Sequence, residues 1–248
     1  MEVIEIVLLV CLLLLLLGGG CGIWWHSCKS DRRVVKSKFN RPRHEPWYQD
    51  IPDDHPEVKE LERETREQAA RVKKYTSTKG VKLGKTPRDV QEYLVSVNET
   101  VDRVAEGSNN IFRRTSSGAP PYILPIPEDR RTWIKERLKP LLEEWSGHKL
   151  EATSAYGPRE YRRGSSLRNH VDIENTHVIS VILHIGSENL DEPWYLHLYD
   201  HDGKFHKVSM EPGDMVYYQS NNVIHGRPDP LKGDYYTNMF VHYKIVDE

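Results

Sequence analysis

Cysteine is scarce in this chain, which has three cysteines among 248 residues. All three, Cys11, Cys21 and Cys28, lie near the amino terminus, so the rest of the chain offers neither a disulfide framework nor a cysteine nucleophile. A basic excess is also missing, because 35 lysines and arginines are balanced by 37 acidic residues, for a formal net charge of −2. Since nucleic-acid binding usually leaves a surplus of positive charge, this balance argues against an obligatory nucleic-acid partner.

Two common histidine motifs for metals are absent as well. The sequence contains no His-x-His pair of the cupin kind and no His-Glu-x-x-His of the zinc hydrolases. It contains instead His170 and Asp172, separated by one valine, and much later His225. Two imidazoles and one carboxylate can form a three-ligand iron site with open coordination positions.

The spacing of these three residues indicates how such a site is built. His170 and Asp172 are two positions apart, so on a strand both side chains point to the same face of the sheet. His225 is too distant in sequence for a local loop and must arrive on another strand. We therefore expect His170, Asp172 and His225 to be the metal ligands in the mouth of a β-barrel or jelly roll.

The carboxy-terminal part of the chain has the pattern of a β-rich core. Residues 178–185 form a nearly continuous apolar run rich in β-branched side chains, which is typical of a strand buried on both faces. Residues 194–210 predict a hairpin around a turn at 200–203. Further strand patterns follow at residues 215–218 and 235–243. Many short strands with glycine, proline and aspartate turns predict a jelly roll or double-stranded β-helix.

Helix patterns precede this core. Residues 58–75 have a thin apolar seam among charges of both signs, and a solvated helix is favoured over a coiled-coil seam. Thr86 and Pro87 form a good helix start, with threonine as the cap and proline at the first helical position. After a predicted loop, residues 128–145 predict another helix, in which Pro140 should cause a kink or an interruption.

A long hydrophobic run lies at the amino terminus. Residues 6–25 carry no charged side chain, and at about 1.5 Å per helical residue the run reaches about 30 Å, the hydrocarbon thickness of a bilayer. A cleaved signal peptide would begin with basic residues, whereas Glu2 and Glu5 precede this run. A lipoprotein-type signal that is cleaved before Cys21 would also begin with basic residues, and these are missing here. We therefore expect an uncleaved, single-pass membrane anchor at residues 1–28.

The residues leading to His170 match a known pattern. Tyr161, Gly164, His170 and Asp172 fall in register with the Tyr-x-x-Gly-x-x-Tyr-x-x-His-x-Asp run of the prolyl 4-hydroxylase-like branch of the Fe(II)/2-oxoglutarate dioxygenases. Leu167 replaces the second tyrosine of that run. The chain resembles this family in further landmarks, which occur in the same order.

Two of those landmarks follow Asp172. Residues 177–183 look like the family's Arg-x-x-Thr core strand, with His for Arg and Ser for Thr, and residues 211–214 resemble the tight turn before the strand of the distal histidine. The resemblance implies that Fe(II) is held by His170, Asp172 and His225, with 2-oxoglutarate as cosubstrate and ascorbate as a candidate reductant. It implies hydroxylation of a C–H bond, most directly of a prolyl residue in a protein or peptide, with release of succinate and CO2.

The sequence departs from the family at the cosubstrate. Prolyl hydroxylases place a lysine about ten residues after the distal histidine to pair with the far carboxylate of 2-oxoglutarate, and this chain has Tyr235 there. A buried carboxylate needs a positive or strongly donating partner. Arg227 is the nearest candidate, since its guanidinium group suits a carboxylate. Tyr161 and Tyr235 are candidates as hydroxyl donors.

The orientation of the anchor has two competing predictions. Basic residues are frequent between residues 29 and 43, and the positive-inside rule would keep this flank in the cytoplasm. Membrane-anchored prolyl 4-hydroxylases instead face the lumen of the secretory pathway, so the endoplasmic reticulum is the alternative location. Four prolines among charges at residues 41–56 suit an extended tether in either case.

In full, the sequence predicts a mainly β fold with flanking helices (α+β), behind an amino-terminal transmembrane helix. The expected order is a membrane anchor at 1–28, a basic and proline-rich tether at 29–56, a helical region at 57–149 that buttresses the core, and a double-stranded β-helix (jelly-roll) core at 150–248. A peptide or protein substrate is the expected partner, and the sequence makes no prediction of oligomeric state.

Three alternatives stay open at this point. The enzyme could act on a small molecule or a lipid, or the domain could be a catalytically silent, membrane-tethered jelly-roll binding module. The histidines could also be ordinary hydrogen-bonded residues of a β-sandwich. The variants His170→Ala and Asp172→Ala separate these interpretations, because they abolish metal binding and turnover in an enzyme and leave a binding module functional.

Overall fold

The computed structural model of the chain describes residues 50–107 and 114–246. The predicted anchor at residues 1–28 and most of the predicted tether at 29–56 lie outside the described residues. Within the described ranges, no helix is long and apolar enough to cross a membrane.

Helices α1 (Pro56–Arg71), α2 (Arg88–Thr100) and α3 (Glu128–Ser146) precede the main strands. Helix α2 buries Val90, Leu94 and Val97 against the sheet, as the spacing of its apolar residues predicts. Helix α3 buries Ile134, Leu138, Leu142 and Trp145 in the same core. Both helices therefore buttress one face of a sheet.

The strands lie in two antiparallel sheets, which is consistent with a jelly-roll core. They are β1 (Val81–Lys85), β2 (Val104–Ala105), β3 (Ser116–Ser117), β4 (Tyr122–Ile123), β5 (Leu150–Arg162), β6 (Ser166–His170), β7 (Ile179–Glu188), β8 (Leu196–Tyr199), β9 (Phe205–Val208), β10 (Asp214–Tyr218), β11 (Ile224–Arg227) and β12 (Tyr235–Ile245). The larger sheet has the order β1-β10-β7-β12-β5-β4-β2, and the smaller one has the order β3-β6-β11-β8-β9.

The two faces of the larger sheet have different roles. On β7 and β12, Val181, Leu183, Met239 and Val241 face helices α2 and α3 and form the main apolar core. The alternate positions face the smaller sheet, because successive side chains on a strand point in opposite directions. These inward positions carry several polar and aromatic side chains, and they surround the candidate site.

The predicted strands of the core are present. Strand β7 lies between β10 and β12, and its first seven residues are buried, as expected from the continuous apolar run at 178–185. Strands β8 and β9 form the predicted antiparallel hairpin. The turn before β10 also forms, with Gly213 at a φ of 92° and Asp214 N–H donating to the Glu211 carbonyl.

Three local predictions differ from the structure. The segment at 57–149 also contains β1, the edge strand of the larger sheet, and the predicted loop between α2 and α3 contains the short strands β3 and β4. The backbone N–H of Thr86 bonds to the Gly213 carbonyl and its side chain is buried, so α2 begins at Arg88 without a threonine cap. Helix α3 continues through the exposed Pro140, since the buried residues Leu138 and Leu142 hold both sides of it.

Candidate metal centre

The three predicted metal ligands lie together at one end of the smaller sheet. His170 ends β6, His225 lies on β11, and the two residues are directly paired across these antiparallel strands. Asp172 follows β6, with its Oδ1 atom 3.7 Å from Nε2 of each histidine. All three ligand atoms lie within 4.8 Å of one another. Two strands and one loop therefore converge on a site the size of a metal ion.

Backbone carbonyls fix the tautomer of both histidines. Nδ1 of His170 lies 2.8 Å from the carbonyl of Arg168, and Nδ1 of His225 lies 2.9 Å from the carbonyl of Val223. Because a carbonyl can only accept a hydrogen bond, each Nδ1 carries the proton. The Nε2 atoms that face Asp172 are left with free lone pairs, as metal ligation requires.

The electrostatic environment suits a divalent cation. Burial, helped by the neighbouring His225, lowers the pKa of His170 to about 4, so this imidazole is neutral near pH 7. Burial alone would raise the pKa of Asp172, but the surrounding imidazoles, chiefly His225 and His242, hold it below its usual value. As ligands, one carboxylate and two imidazoles would leave a divalent ion with a net positive charge.

Gly226 allows the two ligand strands to approach. A Cβ atom at this position would lie 2.7 Å from Oδ1 of Asn169 and 2.8 Å from the carbonyl oxygens of Arg168 and Leu167. Such contacts are too short for any side chain. The glycine beside His225 is therefore part of the geometry that brings β11 against β6.

The second carboxylate oxygen of Asp172 has its own partners. The Tyr218 hydroxyl donates to Oδ2 at 3.4 Å, and Nδ1 of His242 lies 3.6 Å from the same atom. His242 also contacts Ser180 Oγ at 2.8 Å, and its ring centroid is 4.0 Å from that of His177. His242 belongs to none of the motifs in the sequence, so its place beside Asp172 was not predicted.

Arg227 is a buried cation with unusual surroundings. Its guanidinium group lies between two aromatic rings, with the carbon 4.8 Å from the Trp194 centroid and 4.6 Å from the Tyr236 centroid. It donates to the Trp194 carbonyl and, at 3.3 Å, to the Tyr236 hydroxyl. Only 2% of Arg227 is exposed, and no carboxylate of the described residues forms an ion pair with it. A buried charge in this position calls for an anion.

Tyr161 faces the same interior as Arg227. Its ring packs edge-on against Trp194 at 5.0 Å, and its hydroxyl accepts a hydrogen bond of 2.8 Å from Nη1 of Arg159. The charge of Arg159 is matched, because its Nε atom lies 2.6 Å from Oε1 of Glu106. Of the two buried arginines near the site, Arg227 is thus the better candidate to bind an added anion.

Tyr235 lies on the other face of β12. Its hydroxyl accepts a hydrogen bond of 3.5 Å from Nδ2 of Asn98, which belongs to helix α2. The next residue, Tyr236, points inward and stacks on His184 at 3.9 Å. The structure therefore brings Tyr161 and Arg227 into the interior beside the ligand strands but does not bring Tyr235 there. Tyr236 takes that place.

Comparisons with known proteins identify the fold. No protein-family model matches the sequence, and a search of curated proteins finds no match. Among solved structures, this chain is similar to an oxidoreductase of the 2OG-Fe(II) oxygenase family from Burkholderia pseudomallei, at 10% identity and a TM-score of 0.50, over 73% of this chain and 90% of that chain. That likeness shows a shared fold.

The same comparison also finds two prolyl hydroxylases. The enzyme from Pseudomonas putida has 14% identity and a TM-score of 0.49, over 69% of this chain and 95% of that one. The enzyme from Trichoplax adhaerens, solved with a peptide fragment of the hypoxia inducible factor oxygen degradation domain, has 13% identity and a TM-score of 0.49, over 76% of this chain and 92% of that one. The jelly-roll type of fold that the sequence resemblance implies is confirmed by the likeness to the Burkholderia pseudomallei structure.

Proposed function

We propose that this chain is an Fe(II)- and 2-oxoglutarate-dependent dioxygenase that hydroxylates a C–H bond. The observation that carries the proposal is the cluster of His170, Asp172 and His225, in which both Nε2 atoms face the carboxylate. Two imidazoles and one carboxylate are a ligand set that would hold Fe(II) and leave coordination positions open for other ligands. Fe(II) and 2-oxoglutarate, once bound, supply the oxidative chemistry that releases succinate and CO2.

Arg227 and Tyr236 are the proposed anchor for the far carboxylate of 2-oxoglutarate. Arg227 lies two residues after His225 on β11, so both side chains point to the same face of the smaller sheet. Its buried charge has no carboxylate partner among the described residues, and Tyr236 adds a hydroxyl next to it. In this proposal Tyr236 takes the role that the sequence assigns to Tyr235, and Tyr161 supplies a further hydroxyl.

A prolyl residue of a protein or peptide is the proposed substrate. Support comes from the sequence run that contains Tyr161, Gly164, His170 and Asp172, which resembles the prolyl 4-hydroxylases. The residue after Asp172 is Ile173, which is 50% exposed. An exposed apolar side chain beside a metal ligand can contact a substrate and exclude water from the target C–H bond.

The test is succinate formation by the full chain, purified in detergent and loaded anaerobically with Fe(II), then given 2-oxoglutarate, ascorbate and air. We expect succinate that depends on iron and oxygen, and its loss in the variant Asp172→Ala. Bound iron without succinate would contradict the 2-oxoglutarate assignment. Absence of iron binding would contradict the metal site itself, and unchanged succinate in Asp172→Ala would place the metal elsewhere.

A further inference from the structure

Buried carboxamide side chains connect helix α1 to the loops that hold the metal ligands. Gln219, Asn221 and Asn222 lie in the turn between β10 and β11, just before His225, and are at most 5% exposed. Gln68 reaches them from the last turn of α1. We call these four residues, Gln68, Gln219, Asn221 and Asn222, the carboxamide cluster.

One amide group bridges the two ligand loops. Nε2 of Gln68 donates to the Asp172 carbonyl at 2.8 Å and to the Asn221 carbonyl at 3.0 Å. An amide nitrogen has two protons, so both hydrogen bonds can form at once. The loop after β6 and the turn before β11 are thereby joined through a single side chain of α1.

The other three carboxamides close the network. Nδ2 of Asn222 donates to the Ala69 carbonyl at 2.7 Å, at the end of α1, where helix carbonyls lack partners within the helix. Nε2 of Gln219 donates to the Lys73 carbonyl at 2.7 Å, and Nδ2 of Asn221 donates to the Glu174 carbonyl at 2.9 Å. The chain segments after α1 and after Asp172 are therefore both tied to the same turn.

Asp172 depends on this network more than the two histidines do. His170 and His225 are fixed by the pairing of β6 with β11. Asp172 lies beyond the end of β6, where its backbone N–H bonds to the Ser220 carbonyl at 2.8 Å and its carbonyl accepts from Gln68. Both backbone groups of the carboxylate ligand are thus held by the cluster or by its turn.

We propose that Gln68 is a positioning residue for the metal centre, and that α1 sets metal affinity by fixing the backbone of Asp172 through the carboxamide cluster. The proposal rests on the metal site of the proposed function, but not on the cosubstrate, the substrate or the reaction. Gln68 contacts neither the metal nor its ligand atoms.

The test compares Gln68→Met with a matched control, Gln91→Met, in the full chain. Gln91 also donates from Nε2 to a strand carbonyl, that of Ile185 at 3.3 Å, but it does so from α2, outside the carboxamide cluster. Methionine keeps the length of the side chain and removes the donor. In an anaerobic titration with Co(II) alone, we expect Kd to rise about tenfold in Gln68→Met, as for other outer contacts of metal ligands, and to stay at the wild-type value in Gln91→Met.

Hydrogen exchange of the metal-free chain gives a second readout. We expect the amides of residues 172–176 and 219–223 to exchange faster in Gln68→Met than in the wild type, with no change there in Gln91→Met. Equal Co(II) affinity in all three proteins would overturn the positioning role, and so would an equal loss in both variants. A wild-type chain that binds no Co(II) would overturn the metal site of the proposed function together with this inference.

Discussion

At the residue scale, Arg227 is the side chain whose burial most needs an explanation. Its guanidinium group is enclosed by Trp194 and Tyr236 and is 2% exposed. Leaving a buried charge without an anionic partner is costly. Binding of 2-oxoglutarate would supply that partner beside the metal ligands.

The first prediction concerns Arg227→Met. Because loss of one partner of a buried, hydrogen-bonded charge pair costs about 2–5 kcal/mol, we expect the KM for 2-oxoglutarate to rise at least about thirtyfold. Co(II) affinity should not change, since Arg227 is not a ligand. The control is Arg163→Met, which removes an exposed arginine paired with Asp191. An unchanged KM in Arg227→Met would exclude it as the carboxylate partner.

The second prediction is a loss of stability in mild acid that depends on His184. Burial lowers the pKa of His184 to about 3. Between its ordinary pKa of about 6.5 and this value, the unfolded chain binds a proton that the native chain excludes, so stability is lost as the pH falls. Urea unfolding at pH 6.5 and 5 should show that His184→Gln loses about 1–2 kcal/mol less than the wild type over this interval. Equal losses of unfolding free energy in the wild type and in His184→Gln would mean that His184 takes up its proton in the folded protein.

The sequence predicts that the three candidate ligands lie together, as they do, but it places a neighbouring residue on the wrong face of its strand. His170, Asp172 and His225 could be predicted because a short motif and its strand spacing define them. The residues on the inward face of β12 could not be predicted in this way, because a shift of one residue in the register moves every side chain to the opposite face of the sheet. Because side chains alternate along a strand, a β12 with Tyr235 in the interior would have His242 on the opposite face. In the structure, Tyr236 and His242 point into the interior instead.

At the element scale, the pairing of β6 with β11 determines the distance between the two histidine ligands. Gly226 faces β6 so closely that an added methyl group would meet Asn169 and two backbone carbonyls. The strands could make room only by moving apart, and such a movement would also separate His170 from His225.

The third prediction follows from this contact. We expect Gly226→Ala to lower the free energy of unfolding by about 1–3 kcal/mol, as overpacking usually does, and to weaken Co(II) binding. Gly107→Ala is a suitable control, because a Cβ atom there would have no neighbour within 4 Å. Urea unfolding and Co(II) titration measure the two effects. Wild-type values of both in Gly226→Ala would show that the strands tolerate the methyl group.

The elements were predictable where packing and local pattern agree. Strand β7 and the hairpin of β8 and β9 follow from an apolar run and a turn, and the apolar positions of α2 and α3 follow from helical spacing. Strand β1 has no such signal, because it is an edge strand that depends on its partner β10. The N-cap position of α2 falls on Pro87, one residue after Thr86, so the predicted threonine cap does not form.

At the scale of the whole molecule, the hydrophobic run at residues 6–25 decides whether the protein is bound to a membrane or diffuses freely. The composition predicts a spanning helix, and we propose that this run anchors the chain to a membrane.

The fourth prediction tests this anchor in the full chain. The double variant Leu14→Arg and Leu16→Arg should release the protein from membranes, since each arginine at the centre of a spanning helix costs about 2.5–3.5 kcal/mol. The comparison is Leu14→Ile and Leu16→Ile, which keeps the run apolar. Carbonate extraction followed by sedimentation shows the distribution of each protein. If the arginine variant sediments with membranes as the wild type does, residues 6–25 are not the anchor.

Because His170 and His225 are paired across two strands, an ion bound to both would stabilise the folded chain. These residues are distant in sequence, so an ion bound to both acts as a reversible cross-link across a long loop of the polypeptide. An ion that binds only the closed arrangement stabilises it by about 2.7 kcal/mol when present at a hundred times its Kd. If the ion is iron, as in the proposed function, a cell poor in available iron would contain a form of this protein that is easier to unfold and to degrade, and iron supply would affect its amount as well as its activity.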